Sequence, residues 1–429
     1  MNPEQPAPVR SDLLDARQAL AVLGVKPQTL YAYVSRGLIR AVNPQRRRLS
    51  LYYREDIEAL QLRGRAHNMP GQAAQRALRV GGDAVLDSSI TEITREGPRY
   101  RGRLALTMVE HGLPFEACAE LLWQQRPDSA GTPWPLATAG PGHAAFVATL
   151  RSAARHTTSR RLLALAIEGW AACANVEPAA EERDDLATAR SILQAATAAL
   201  GLLRPQPRYC PLHPDEPIAH GLARALGVST QVDAVRALDA ALVLCADHEL
   251  APSTFAARIA ASAGADLYSC MTSALGAFEG LFTGYGCDLA ERLLREAGSV
   301  GDYVDDLVGR ARRKEPLPGY DHPLYPKGDP RGRALLDLAE SLAERRPAVR
   351  RACDAVKAAH ESLGAQPSLS VGLAALGIAL EQPPRAPATI MALGRCAGWV
   401  AHVREQRQAG FLVRPRARYV PQSPAAPTC

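Results

Sequence analysis

Aromatic side chains are scarce in this chain, at 5% of 429 residues. Its core must therefore be filled by Ala, Leu and Val. That composition favours helices over sheets, because Ala and Leu are strong helix formers while strands draw on β-branched and aromatic residues. We read the chain as mostly α and long enough for two or three domains around a sizeable core. Long uncharged apolar runs are missing as well; none reaches the roughly eighteen residues that a membrane span needs. The start, MNPEQPAPVRSDLLDAR, has no apolar signal segment. These two absences point to a cytoplasmic protein with no membrane partner. No C-x-x-C pair exists: Cys118, Cys173, Cys210, Cys245, Cys270, Cys287, Cys353, Cys396 and Cys429 stand singly. No metal or redox motif is expected, and the cysteines read as reduced core thiols.

Positive charge is present but unevenly spread. Residues 1–65 hold eleven Lys/Arg against six Asp/Glu, a balance of +5, which leaves +1 of the chain total of +6 for everything after them. A field confined to one end suits a segment that meets a polyanion.

Residues 15–25 read as a short helix ended by Gly24. Residues 26–38 read as a second, opened by Pro27 and stopped by Gly37. Ala19, Leu20, Leu23, Leu30 and Val34 would interlock the two. A hairpin follows over 39–53 with Arg46, Arg47 and Arg48 near its tip, and a further helix starts at Arg54. This order resembles the winged helix-turn-helix of MerR-type regulators and excisionases, in residues 1–65. The resemblance implies that the second helix enters the major groove, with Gln28, Thr29, Tyr31 and Tyr33 facing it. Arg36, Arg46, Arg47 and Arg48 would lie on the phosphates, giving affinity without sequence choice. The alternative is a basic appendage that packs on the main body or on a sister subunit.

Residues 66–80, polar and containing Pro70-Gly71, form the expected linker. Residues 84–103 alternate apolar and polar side chains around Glu96-Gly97-Pro98, a hairpin signal. Helices are expected over 114–124, 142–154, 160–174, 181–202 and 216–227. The stretch 242–285 then organises the rest. It reads as an apolar helix ending on Asp247-His248-Glu249, a Ser/Thr-capped start, and one long Ala/Gly-rich helix closing on Gly280-Leu281-Phe282-Thr283-Gly284. Small residues at Ala256, Ala257, Ala260, Ala261, Ala263 and Gly264 would let a neighbouring helix come close.

Four segments carry a second resemblance. Asp247-His248-Glu249 with Ser253-Thr254 is similar to HADHE-x-NAST, with Cys245 in place of the first histidine. Gly319-Tyr320-Asp321-His322-Pro323-Leu324-Tyr325 with Asp329-Pro330-Arg331 is similar to GxGHPxY…DPR. Ala392 to His402 is similar to ALGRTAGWIAH, and Leu412-Val413-Arg414-Pro415-Arg416 with Tyr419-Val420 to LIRPRAxYVG. These are motifs of the citrate synthase family, and the resemblance covers residues 81–429. It implies an all-helical large domain over 81–284, a small domain over 285–385, and a return to the large domain with a dimer tail over 386–429. It further implies a homodimer that binds an oxaloacetate- or citrate-type acid and an acyl-CoA such as acetyl-CoA, with no permanently bound cofactor. His248, Arg331, Arg395 and Arg414 fall on substrate-binding positions, Arg414 reaching the partner subunit. His322 falls on the catalytic histidine that polarises the ketone.

Two positions depart. Thr283 stands where the family has its enol-stabilising histidine, and Ser370 where it has its catalytic aspartate. A positioned acid or base is worth about 10²–10⁴-fold, so ordinary condensation should be badly impaired. Asp321, Asp288, Glu279 and Cys287 are the nearby groups that could substitute. Three readings follow: a citrate or 2-methylcitrate synthase, a DNA-binding regulator whose body senses a di- or tricarboxylate or acyl-CoA, and an inactive subunit that pairs with an active synthase.

Overall fold

The computed structural model describes residues 13–35, 38–42, 50–54, 56–57, 86–124, 133–173, 185–342 and 346–415. The expected linker 66–80, Arg36, Arg46, Arg47, Arg48, Arg416 and Tyr419-Val420 lie outside them. The chain divides into two compact units, residues 1–87 with 415–429, and residues 88–414.

In the first unit, β1 (Leu13–Asp15) leads directly into α1 (Ala16–Leu23). Asp15 and Gln18 form a reciprocal capping box, and Gly24, at φ 65°, ends the helix. α2 (Pro27–Ser35), β2 (Ala41–Val42) and β3 (Leu51–Tyr53) follow, with sheet order β1-β3-β2. The 39–53 hairpin pairs Ala41 with Tyr52 and Val42 with Leu51. β1 is an addition, since three residues are too few to show alternation. Leu14, Ala19, Leu30, Ile39, Tyr52 and Ile57 form this unit's core.

The second unit opens on a small sheet of β4 (Thr91–Thr94), β5 (Gly97–Tyr100) and β6 (Arg103–Leu104). Arg101 and Gly102 both have positive φ, the backbone that a tight hairpin requires. Helices α3 (Ala105–Glu110), α4 (Phe115–Gln124), α5 (His143–Ala153), α6 (Ser159–Cys173) and α7 (Asp185–Ala199) come next, the last running into a 3₁₀ turn at Leu200–Leu203. The stretch Asp185–Leu203 is long and apolar enough to cross a membrane, but 67% of it is buried inside the protein, as a core helix would be. α8 (Ile218–Leu226), α9 (Val232–Cys245), α10 (Pro252–Ser262), α11 (Leu267–Phe278), α12 (Gly284–Glu296) and α13 (Val300–Arg312) continue the chain. α14 (Pro330–Ser341), α15 (Pro347–Leu363), α16 (Leu369–Ala379) and α17 (Ala386–Ala409) complete it.

α17 is the axis of this unit. It is buried along most of its length, and α4, α9, α10, α11 and α12 all pack on it. Gly394 and Gly398 make the approach to α9 possible. A Cβ at 394 would come within 2.8 Å of Leu242 O, and one at 398 would collide with Asp247 Oδ1. This close packing brings Arg395 to the end of α9.

The 242–285 stretch differs from its reading in two ways. The long Ala/Gly-rich helix is two helices, α10 and α11, broken where Gly264 takes φ 84° and Asp266 caps Ser269 N at 2.8 Å. The start of α10 has no side-chain cap: Ala251 is the N-cap, and the Ser253 and Thr254 hydroxyls are buried without partners among the described residues. Pro252 in the first turn sets the helix instead, since its missing N–H costs nothing there.

Candidate active site

The turn after α9 is built by Tyr100 and Asp247. The Tyr100 hydroxyl reaches the carbonyls of Val243 at 3.1 Å and Asp247 at 3.2 Å, closing the C-terminal end of the helix. Asp247 Oδ2 accepts from Glu249 N at 3.0 Å, which holds Glu249 at φ 54° and fixes His248 between them. Asp247 is fully buried. Burial alone would raise its pKa, but His402 and Arg395 outweigh it and leave the carboxyl below its usual range.

The second wall comes from residues 319–331, stitched to the segment before α16. Asp321 N donates to Gln366 O at 2.8 Å, and Ser368 N to Gly319 O at 2.8 Å. His322 and His248 meet here, ring centroids 5.0 Å apart and nearly perpendicular, and Tyr325 completes the cluster at 5.3 Å from His322 and 5.6 Å from His248. Leu324 N donates to His322 Nδ1 at 3.2 Å, so the neutral ring carries its proton on Nε2, free to donate to a ligand. Burial, then the nearby Arg331, lowers the His322 pKa to about 4. His248 is held well below the ordinary imidazole value by burial, Arg331, Arg395 and His322. Both rings are therefore neutral at pH 7.

Arg331, in the first turn of α14, is 1% exposed. Its Nε and Nη2 donate to Asp329 at 3.0 and 2.8 Å, while Nη1 is buried with no partner among the described residues. A buried guanidinium N–H without an acceptor is costly, so it marks a place for an anionic oxygen. Its charge lies 5.4 Å over the Tyr325 ring. Arg395 donates from Nε to Cys245 O at 3.0 Å, so the position that departs from the HADHE pattern still serves through its backbone. Asp329 is the paired counter-charge of Arg331, while for Arg395 burial lowers the pKa and the Asp247 carboxylate opposes that lowering. A cleft of about 720 Å³ opens beside this cluster. Tyr325, Asp329, Gln366, Lys327, Arg333 and Lys357 are among its walls.

The structure thus brings together His248, His322, Arg331 and Arg395. Arg414, at the end of this unit, is exposed. Gln28 is exposed on α2, Thr29 and Tyr31 are half-buried there, and these three belong to the other unit. Tyr325, Asp329, Asp247 and Tyr100 are site-building residues to which the sequence assigned no role, although Asp247, Tyr325 and Asp329 lie in the same motifs as His248, His322 and Arg331.

The departing positions are engaged elsewhere. Thr283, the N-cap of α12, turns its Oγ1 to the carbonyls of Phe278 at 2.8 Å and Gly280 at 3.0 Å, so its single proton is committed to its own turn. Burial raises the pKa of the Cys287 thiol well above normal, and the neighbouring Ser370 hydroxyl opposes that rise. The substitute carboxylates are occupied too. Asp288 and Glu279 pair with the buried Arg160, and Asp321 Oδ1 accepts from Gln366 N at 2.9 Å. Asp321 also sits at φ 54°, in the left-handed region that favours glycine.

Comparison with known proteins agrees with this geometry. Residues 80–416 match the family described as citrate synthase, C-terminal domain. The chain is 33% identical to 2-methylcitrate synthase of Shewanella oneidensis over 213 residues, which is 48% of this chain and 56% of that protein. It is 34% identical to citrate synthase of Saccharolobus solfataricus over 199 residues, 44% of this chain and 52% of that one. The chain spans about half the length of the curated relatives it matches. In fold it is similar to citrate synthase of Thermoplasma acidophilum, solved as a ternary complex with carboxymethyl coenzyme A and oxaloacetate. The TM-score is 0.69 at 21% identity, covering 80% of this chain and 96% of that one. The Thermotoga maritima enzyme gives 0.64 at 21% identity, with 80% and 96% covered. With its helical architecture, its paired histidines and arginines and a matching segment that takes in most of the chain, this protein belongs to the citrate synthase family.

Proposed function

We propose that this protein is a carboxylate-binding member of the citrate synthase family that has kept the clamp for an oxaloacetate- or citrate-type acid and lost ordinary condensation. The observation that carries the reading is the contrast between two sets of groups. Arg331 Nη1 is buried without a partner among the described residues, and beside it stand the Arg395 guanidinium, tied by Nε to the Cys245 carbonyl, and two neutral imidazoles. At the acid/base positions stand two hydroxyls, Thr283, whose proton is spent on backbone carbonyls, and Ser370, beside the Cys287 thiol. Condensation needs a carboxylate to take a weakly acidic proton from a thioester methyl group and a neutral donor to hold the enol oxygen. A serine hydroxyl does not act as an unaided base at neutral pH. Binding needs only the clamp.

In this reading the N-terminal unit is a winged helix-turn-helix that meets DNA through Gln28, Thr29, Tyr31, Arg36, Arg46, Arg47 and Arg48, and the bound acid regulates that contact. Residues 81–284 act as the large domain and 285–385 as the small one, in a homodimer to which each Arg414 contributes a clamp residue across the interface. An acyl-CoA occupies the cleft beside Tyr325 as a second ligand.

Calorimetry tests the clamp. Oxaloacetate and citrate should each bind the wild type, and Arg331→Met should weaken both by about 30-fold or more, as truncating one partner of a desolvated charge pair does. No heat from the wild type with either acid would sink the reading. A second reading, a condensing acyltransferase joining an acyl-CoA to a 2-oxo acid, is favoured by the cleft and by the retained His322. It requires thiol release from acetyl-CoA at ordinary enzyme rates.

A further inference from the structure

One buried guanidinium ties the carboxylate pocket to both places where the chain passes between its two units. Arg258, on α10, is 2% exposed. Its Nη1 lies 3.0 Å from His402 Nδ1 and donates to Glu405 Oε2 at 2.6 Å, and its Nε donates to Gln406 Oε1 at 3.0 Å. Each of these partners leads somewhere. A guanidinium only donates, so His402 Nδ1 accepts and its Nε2–H faces Asp247 Oδ2 at 3.4 Å. Asp247 holds the turn that carries His248.

Glu405 Oε1 accepts from Ser89 N at 2.9 Å and from Ser89 Oγ at 3.1 Å. Ser89 stands just past the first crossing, between Asp87 and Ser88. Gln406 Nε2 donates to Phe411 O at 3.0 Å, and Val413 N donates to Ser262 Oγ, at the end of α10, at 3.1 Å. The second crossing, between Arg414 and Pro415, follows at once.

We propose that Arg258 couples occupancy of the carboxylate pocket to the order of both crossings, so that a bound acid tightens the segments from which the N-terminal unit hangs. The route follows from shared atoms. A ligand held by His248 loads the turn that Asp247 Oδ2 fixes through Glu249 N, and the same oxygen faces His402 and through it Arg258. In a water-poor interior such a line has few arrangements, and a change at one end is felt at the other. The inference rests on the binding reading of the pocket and deepens it by naming a route of regulation.

Hydrogen exchange on the full chain, with and without saturating citrate, tests it. Backbone amides over residues 88–90 and 411–413 should exchange about fivefold more slowly with citrate, the low end of ordinary coupling energies, while Ile218–Leu226 serves as an unmoved reference. In Glu405→Gln, and separately in the milder Ser89→Ala, the citrate affinity measured by calorimetry should stay within about threefold of wild type and the slowing over 88–90 should disappear. Binding heat with no change at either crossing overturns the coupling and leaves the clamp standing. So does a slowing that survives in both variants. No heat from the wild type removes the clamp and the coupling together.

Discussion

Arg331 gives one N–H from Nε and one from Nη2 to Asp329, at 3.0 and 2.8 Å, while its buried Nη1 is unpaired among the described residues. One side of the fork is thus spent on orientation, and in the proposed function Nη1 serves the ligand. Asp329 Oδ2 in turn accepts from Leu369 N at 3.2 Å, the residue before Ser370, so the same carboxylate aligns the arginine and the start of α16. The pair separates two functions that one variant would confuse. Arg331→Lys keeps a cation for Asp329 but cannot reach both it and a ligand carboxylate in a planar fork. We expect this variant to remain folded by circular dichroism and to bind oxaloacetate at least about tenfold more weakly. Unchanged affinity would remove Arg331 from the clamp.

His322 gives a pH prediction. Its pKa is lowered to about 4 by burial and by Arg331. Between about 4 and the ordinary value near 6.5 the unfolded chain binds a proton that the folded one does not, so this group's contribution to stability falls as pH drops through that window. Nitrogen-15 spectra should show a neutral imidazole with its proton on Nε2 at pH 7, and Arg331→Met should move its titration upward. A ring that titrates near 6.5 in the wild type would contradict the assignment.

Thr283 behaves as a structural cap. Replacing it by Ala removes hydroxyl bonds to the Phe278 and Gly280 carbonyls. The expected cost is about 1 kcal/mol of stability, read as a lower Tm, with oxaloacetate affinity unchanged. Lost affinity with unchanged stability would mean that the hydroxyl serves the ligand after all.

Asp239, far from the clamp, carries a separate pH effect. Burial raises its pKa to about 7, helped by Glu116 and opposed by the Phe115 N–H that it accepts at 2.9 Å. From about 4 to 7 the folded state holds a proton that the unfolded state has lost, so stability falls as pH rises through that window, by on the order of 3–4 kcal/mol. Asp239→Asn keeps an oxygen for Phe115 N and removes the ionisation. It should melt higher than wild type at pH 8 and show a flatter dependence between pH 4 and 7. A variant that melts lower at pH 8 would show that the carboxylate is favourably held.

The clamp was legible because its parts lie in short motifs. His322 and Arg331 share one segment, and Asp247-His248-Glu249 another, so each could be matched to a citrate synthase motif over a few neighbouring residues. The break between α10 and α11 was not, because an Ala-rich run carries high helix propensity right up to Gly264. Asp321 was read as a carboxylate available for chemistry; its left-handed backbone and its bond to Gln366 N are set by a segment 45 positions away. The Arg258 line was invisible for the same reason. His402, Glu405 and Gln406 lie 144 to 148 positions from Arg258, a separation that no local pattern spans.

The central claim, a kept clamp without ordinary condensation, is tested most directly by thiol release from acetyl-CoA with oxaloacetate, wild type beside Thr283→His/Ser370→Asp. The account predicts that the wild type releases thiol at least about 10²-fold more slowly than an ordinary enzyme turnover of roughly 10 per second, with the double variant faster. Wild-type turnover at the ordinary rate would contradict it.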